Sequence, residues 1–410
     1  MSKPKSIAVI GGGPAGMMAA SVVMKLGSNV TVYEHTDRLG KKLGITGKGR
    51  CNVTNNCTPQ EFLENVTKNP RFLYSAIWQF PPSSTIEYFE SLGVSLKIER
   101  GARVFPETDK AKTIVDAMKK SIQGCTVIYE NVTDITKNDD GSFIVEAKLK
   151  QCYDAVILAT GGRSYPLTGS DGSGYKLAKK LGHECTKLIP SLIPIESKSN
   201  MCADMMGLSL KNISIKILNK SEKCLYSDFG EMMFSHFGVT GPVILSASAH
   251  IKNENISELT LSIDLKPALD EKTLDTRLLS DFKSNQNKIY SNSLGGLLPS
   301  KMIPTFIKYT GIDPLKKVNC ITKEERKKIL SSLKDFRIPL LKLRPIEEAI
   351  ITSGGINVKE ISPNTMQSKI CAGLFFAGEI IDVDAYTGGF NLQIAFSTGY
   401  LAGKSAAEIE

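Results

Sequence analysis

The spacing of apolar residues changes several times along this chain, and the changes divide it. Ile7–Ile10 is a short apolar run that ends in three glycines and passes directly into Ala15–Leu26, a stretch of helical composition. A second apolar run, Asn29–Tyr33, ends in Glu34. Strand, glycine turn, helix and acid-tipped strand in this order predict a βαβ unit. Ser84-x-x-Glu87 has the form of a capping box and predicts a helix that ends near Gly93. Arg103–Pro106 reads as extended. Lys110–Ser121 reads as a helix with Ile114, Val115 and Met118 on one face. Cys125–Tyr129 and Ser142–Ala147 read as strands, and Asp139-Asp-Gly141 supplies turn chemistry before the second. Tyr153–Gly162 carries a continuous apolar run closed by a glycine pair, the pattern of a buried parallel strand. Ser170–Gly182 reads as a loop followed by a short helix.

Pro190 and Pro194 mark a boundary. Beyond them the pattern becomes mostly short alternating strands: Leu208–Leu218, Cys224–Phe229 and Leu259–Leu265. Gly230–Pro242 reads as a glycine-flanked loop leading into a helical Val243–Ala249. From Lys266 to Phe336 the period is helical, and Thr322-x-x-Glu325 is a second capping box, opening Lys323–Phe336. The end of the chain returns to the opening style. Lys369–Glu379 is a strand running into Gly-Glu, and Ile394–Glu408 is a helix rich in Ala and Gly. This predicts four segments: 1–190, a β-rich insert 191–265, a basic helical part 266–344, and a return to the first domain over 345–410. The fold class is α/β, a Rossmann-like domain interrupted by an inserted β-rich subdomain and a helical subdomain.

The first glycines carry the first chemical signal. Gly11-x-Gly13-x-x-Gly16, placed between a strand and a helix, is the dinucleotide-binding fingerprint. Gly11 permits the turn, Gly13 lets a pyrophosphate approach the backbone, and Gly16 lets the helix pack on the sheet. The helix N-terminus then offers free N–H groups to phosphate. Glu34 can accept hydrogen bonds from an adenosine ribose. The next segment, Leu39–Asn55, is rich in Gly and Lys, so Lys41, Lys42, Lys48 and Arg50 can offset phosphate charge. Gly169-x-x-Gly172-x-Gly174 has different spacing and does not closely follow a strand, so the chain holds one such fingerprint.

Composition narrows the class. A hydrophobic share of 41% and a mean hydropathy near zero describe a globular protein, and no apolar run approaches a membrane span. The opening Met-Ser-Lys-Pro-Lys leads straight to the first strand without a leader. Nine cysteines without a Cys-x-x-Cys pair fit a reduced, cytoplasmic protein, and no Cys/His cluster has the spacing of a metal site. The net charge is +9, and residues 266–344 hold 17 Lys+Arg against 8 Asp+Glu, a surplus equal to the whole. Two readings stand: a solvated helical surface, or a face that attracts a phosphorylated cofactor or RNA. Few aromatics interleave these lysines, which argues against a single-stranded RNA platform.

Gly11–Gly16, Thr46–Asn55, Ala159–Gly162, Phe234–Pro242 and Gly378-Glu379 through Gly388–Gln393 occur in order over nearly the whole chain. Together they resemble the BaiN-like (YhiN-type) flavoproteins, a family that includes aminoacetone oxidase. The resemblance implies FAD and a flavin domain of the GR2 type split by the insertion. It places the pyrophosphate over Gly11, Gly13, Pro14, Ala15 and Gly16, and the ribose on Glu34. Lys42, Arg50, Cys51 and Asn52 would lie along the FAD, and Val132 would meet the adenine through its backbone. Thr160 and Gly161 would close over the nucleotide. Gly378, Glu379 and Asp384 would flank the ribityl–pyrophosphate region, and Gly388, Gly389, Asn391, Leu392 and Gln393 the ring. Two reactions follow from the family: NAD(P)H-driven reduction of a conjugated enone of the 3-dehydro-bile-acid type, or oxidation of a small amine with release of hydrogen peroxide. A third reading is an RNA-binding flavoprotein. Candidate proton donors are Tyr165, His236 and Tyr386. For His236 the alternative is a histidine that holds the loop by backbone bonds. For Cys51, a small cofactor-contacting residue is favoured over a redox thiol.

Overall fold

Five short strands, all parallel, carry the first unit. Their spatial order is Leu374–Phe376, Ala155–Leu158, Ser6–Ile10, Asn29–Tyr33 and Thr126–Ile128. Ile7 stands beside Ala155 on one side and Val30 on the other. Ala155–Leu158 is buried on every residue, as a strand covered on both faces requires. The structure, a computed structural model, describes residues 4–409. In it the chain divides into two compact units. One runs to Ser191 and resumes at Pro345, and the other is Leu192–Arg344.

In the first unit, one edge strand, Leu374–Phe376, comes from the far end of the sequence, so both segments build one sheet. The helix Pro14–Lys25 lies against the helix Phe390–Ala407. Their approach is set by small residues. A Cβ on Gly399 would stand 2.4 Å from the Ala15 carbonyl oxygen, and one on Gly403 2.6 Å from that of Ala19. The chain leaves this unit and returns to it through one antiparallel pair, Ile189–Ser191 with Ile351–Ser353.

The second unit is built on a closed barrel of six strands. In order these are Ile195–Ser197, Gly238–Thr240, Cys224–Phe234, Ser209–Leu218, Thr260–Asp264 and Phe336–Leu343, the last pairing back to the first. The helices Glu271–Ser284, Ile303–Thr310 and Lys323–Lys334 share its core: Phe234, Ile263 and Phe336 belong to one apolar cluster with Leu274, Phe306 and Leu333.

Three elements differ from the sequence expectation. The helix near Ser84 begins earlier, as Pro82–Ser91, because Pro82 takes its first position and Pro81 its N-cap. The strand from Cys224 runs through Gly230 to Phe234. There Met232 and Phe234 point inward, and pairing with Ser209–Leu218 overrides the glycine. The basic part 266–344 ends in a strand, Phe336–Leu343, whose pairing to Thr260–Asp264 completes the barrel. The second capping box is present as expected: Thr322 accepts from the Glu325 N–H, and Glu325 accepts from the Thr322 N–H.

Candidate functional site

The turn after Ser6–Ile10 is fixed by crowding on one side and open on the other. Gly11 has φ +109°, and a Cβ there would lie 2.5 Å from the Ala159 oxygen. A Cβ on Gly16 would lie 1.9 Å from the Gly11 oxygen, whereas nothing stands within 4 Å of that position on Gly13. Gly11 and Gly16 are therefore required by packing, and Gly13 leaves space. Pro14 opens the helix with its φ preset, and Ala15 behind it is buried. The first intrahelical bond is Met17 N–H to Gly13, so the N–H groups of Ala15 and Gly16 have no helical acceptor. Glu34 is buried, and its carboxylate accepts from the Gly12 N–H at 3.0 Å and the Thr36 N–H at 2.8 Å. Each oxygen retains a second lone pair.

The loop after Leu39 folds into 3₁₀ turns over Leu43–Gly49, interrupted at Thr46–Lys48. Cys51 is fully buried at φ +61°, and burial pushes its thiol up to about 12. Burial of this kind disfavours the thiolate, the form a redox nucleophile needs. Arg50 gives its guanidinium to Glu99 and Asp109, with Nε 2.9 Å from Asp109 Oδ1, and lies 4.3 Å over the Phe105 ring. Both carboxyls are held below their usual range, Glu99 by Arg50 first, and Asp109 by Lys97 first and Arg50 second. Lys41 is likewise paired, to Asp37 at 3.0 Å. Of these basic residues, Lys42 alone reaches the strand ends. Its Nζ lies 2.7 Å from Ser164 Oγ and 2.9 Å from Glu379 Oε2. Glu379 Oε1 accepts in turn from Ser164 Oγ at 3.0 Å and from the Thr352 N–H at 2.8 Å.

Two buried polar atoms in this region have no hydrogen-bond partner among the described residues: Asn52 Oδ1 and Thr160 Oγ1. Gly161 is left-handed at φ +75°, with Ser170 Oγ closing the space a side chain would take. Gly378, at φ +76°, donates its N–H to Thr398. Val132 is buried among the core side chains, and Asp384 is fully buried in a two-residue strand paired to Val66–Lys68.

The second glycine turn starts the Phe390–Ala407 helix. Gly388 and Gly389 have φ +125° and +100°, and a Cβ on Gly389 would meet the Thr54 backbone at 2.3 Å. Asn391 pins the preceding turn by accepting from Ala385 N–H and donating to the Ala385 and Tyr386 carbonyls. Gln393 is buried and committed to the protein. It accepts from Thr54 Oγ1 at 2.6 Å and donates to Phe80 O and Ser397 Oγ. Leu392 packs on the core from its edge. The helix's first bond is Gln393 N–H to Gly389, so the N–H groups of Phe390, Asn391 and Leu392 lack helical acceptors.

The chain matches the family model described as "HI0933-like protein Rossmann domain" over residues 5–405. It is 29% identical over 409 residues to a 3-dehydro-bile acid delta(4,6)-reductase of Clostridium scindens, covering 98% of this chain and 99% of that protein. It is 27% identical over 409 residues to a ribosomal RNA dihydrouridine synthase of Haemophilus influenzae, covering 98% of each. Among solved structures it superposes on a flavocytochrome c3 fumarate reductase with a TM-score of 0.51 at 17% identity, covering 99% of this chain and 78% of the other. That last likeness is one of fold.

The chain belongs to the HI0933-like family. It is thereby an oxidoreductase of the FAD-binding Rossmann class. In this HI0933-like chain the three candidate proton donors have different surroundings. Tyr386 is half-buried beside the second glycine turn, its N–H bonded to Asn65. Tyr165 is left-handed and exposed, next to the buried Ser164. His236 belongs to the second unit. It is exposed in the turn between Cys224–Phe234 and Gly238–Thr240, with its ring 5.0 Å from that of Phe237. Among the described residues no group of His, Cys, Asp and Glu could hold a metal, and no helix is long and apolar enough to cross a membrane. Sequence reading missed Ser164, Thr352 and Thr54. Ser164 falls just beyond a glycine pair and Thr54 within the Thr46–Asn55 motif, but neither placement by itself marks a site residue.

Proposed function

We propose that this chain reduces a carbon–carbon double bond conjugated to a carbonyl group. The observation that carries the reading is the second glycine turn. Three N–H groups without helical acceptors at the positive end of an 18-residue helix suit an anionic ring edge, the form a reduced flavin presents. The remaining residues fit FAD. Glu34 offers lone pairs to a ribose, Gly13 and the Ala15–Gly16 N–H groups offer space and donors to a pyrophosphate, and Asn52 and Thr160 offer buried atoms in want of partners. When bound and reduced, FAD supplies the hydride. The protein's part is to hold the substrate, exclude water and deliver one proton to the carbon next to the carbonyl. Tyr386 is the candidate for that proton, since it adjoins the ring-binding turn.

The names of two relatives point the same way. A 3-dehydro-bile acid delta(4,6)-reductase and a dihydrouridine synthase, read by name, both add two hydrogens to a double bond conjugated with a carbonyl. The first reading for this chain is a small enone, with NAD(P)H docking transiently as donor because the sequence holds one dinucleotide fingerprint. A second reading, a uracil ring carried on RNA, is favoured by the surface of the second unit. Much of its positive charge is matched: Lys316 with Glu325, Arg326 with Asp275, Lys334 with Asp264, and Arg344 with Glu196. Lys323, Lys327 and Lys328 are exposed and form no direct ion pair among the described residues, with Glu324 the carboxylate near the first two.

Anaerobic stopped-flow spectroscopy tests both. Flavin bleaching is followed with NADH, NADPH and aminoacetone. Reoxidation is then followed with a 3-oxo-Δ4,6 bile acid, a uridine-containing ribosomal RNA fragment, and oxygen. Rapid reoxidation by the enone supports the first reading, and by the RNA, with steep salt dependence, the second. Bleaching by aminoacetone with reoxidation by oxygen alone would sink both in favour of amine oxidation.

A further inference from the structure

Lys42, Ser164, Glu379 and Thr352 come from four separate stretches and meet around one carboxylate. The Lys42 and Glu379 side chains are 20% and 22% exposed, and Ser164 is fully buried between them. Gly162 makes room for the cluster: a Cβ there would lie 2.6 Å from Thr352 Oγ1 and 2.7 Å from Glu379 Oε1. An ammonium group has three N–H bonds at fixed tetrahedral angles. Here one goes to Ser164 and one to Glu379, and none of the described residues takes the third. The pairing with Glu379 makes the lysine locally neutral, so it is poorly suited to act as a bare counter-charge. Two bonds instead fix where the third N–H points. Ser164 accepts from Lys42 and donates to Glu379, so it joins the two by a second route besides their direct contact.

We infer that Ser164 is a positioning residue for the cofactor. By holding Lys42 in one orientation together with Glu379, it keeps one ammonium N–H free for an oxygen or nitrogen acceptor on bound FAD. This rests on the FAD reading above. Ser164 Oγ bonds Lys42 and Glu379 and lies 3.4 Å from the Ile350 carbonyl oxygen. Its effect on FAD passes through Lys42, which separates a positioning role from simple support of the loop.

The test is a double-mutant cycle on the full chain, with FAD titrated into apoprotein and the flavin midpoint potential measured. Ser164→Ala should weaken FAD binding about five- to tenfold and move the potential. Lys42→Met should weaken it further. In the Lys42→Met background Ser164→Ala should have no additional effect on either readout, because the group it orients is gone. Ser164→Cys, close in volume and a weaker hydrogen-bonding partner, should behave as Ser164→Ala does and guards against a variant that does not fold. Equal losses from Ser164→Ala with and without Lys42, or unchanged affinity and potential in Ser164→Ala, would overturn the inference while leaving the FAD reading intact. A wild-type protein that binds no FAD would overturn both.

Discussion

At the residue scale, Glu34 shows how one side chain serves the protein and a ligand together. Its carboxylate braces the glycine turn through Gly12 and the following bend through Thr36. A neutral amide in its place keeps one acceptor and loses the charge. Glu34→Gln should therefore weaken FAD binding by about one order of magnitude, by titration of the apoprotein, and lower the melting temperature, because the amide nitrogen would face one of the two N–H donors. Affinity equal to wild type would remove Glu34 from the ribose site. The glycines and the acid were legible in the sequence because each answers a local steric or charge demand. The family resemblance proposes Lys42 and Glu379 as cofactor residues, but it gives no sign of their contact with each other, because 337 positions separate them. Arg50 reads from its loop as a phosphate partner, and the fold also pairs its guanidinium with Glu99 and Asp109. Those two lie on and just beyond the Leu96–Glu99 and Arg103–Pro106 strand pair, and nothing in the loop's own sequence announces them.

At the element scale, the packing of Pro14–Lys25 on Phe390–Ala407 places both helix N-termini of the site. The contact tolerates no side chain at Gly399 or Gly403. Gly399→Leu should force the helices apart, cost about 1–3 kcal/mol by denaturant unfolding and reduce FAD retained on purification. Full retention at wild-type stability would show that the two helices can separate without disturbing the site. The central strands and these helices were readable from period and composition. What escaped were elements whose state depends on pairing. Gly230 reads as a break yet lies within a strand held from both sides, and Phe336–Leu343 follows helices yet closes a barrel. A buried arrangement at the end of the Ser173–Lys180 helix was equally silent. His183 lies 2.9 Å from Glu360 and 2.8 Å from Ser368, tying that helix to the approach to the last sheet strand, and burial lowers its pKa. Partners so distant in sequence leave no periodic trace.

At the scale of the whole molecule, each unit has its own apolar core, and the chain passes between them at Ser191 and Pro345. The exit and return strands pair directly, Ser191 opposite Ile351, so a short Gly/Ser linker can span the gap left by the insert. Replacing Leu192–Arg344 in this way should leave FAD binding within about tenfold of wild type, measured by titration of the apoprotein. A larger loss with the fold intact would show that the first unit alone does not hold the cofactor. Circular dichroism separates loss of FAD through unfolding from loss through a missing contact.

The order in which the sheet is assembled has a consequence in time. A ribosome releases the strand Ala155–Leu158 long before its neighbour Leu374–Phe376, and the helix Pro14–Lys25 long before the helix that covers it. During that interval the growing chain carries an unpaired sheet edge and a bare Ala15–Ala19 face. Leu192–Arg344, whose barrel closes on itself, completes its own core meanwhile. The later-translated insert is therefore the first part to mature, and the earlier-translated nucleotide fingerprint must wait, open to chaperones, until residues 374–407 emerge to finish it.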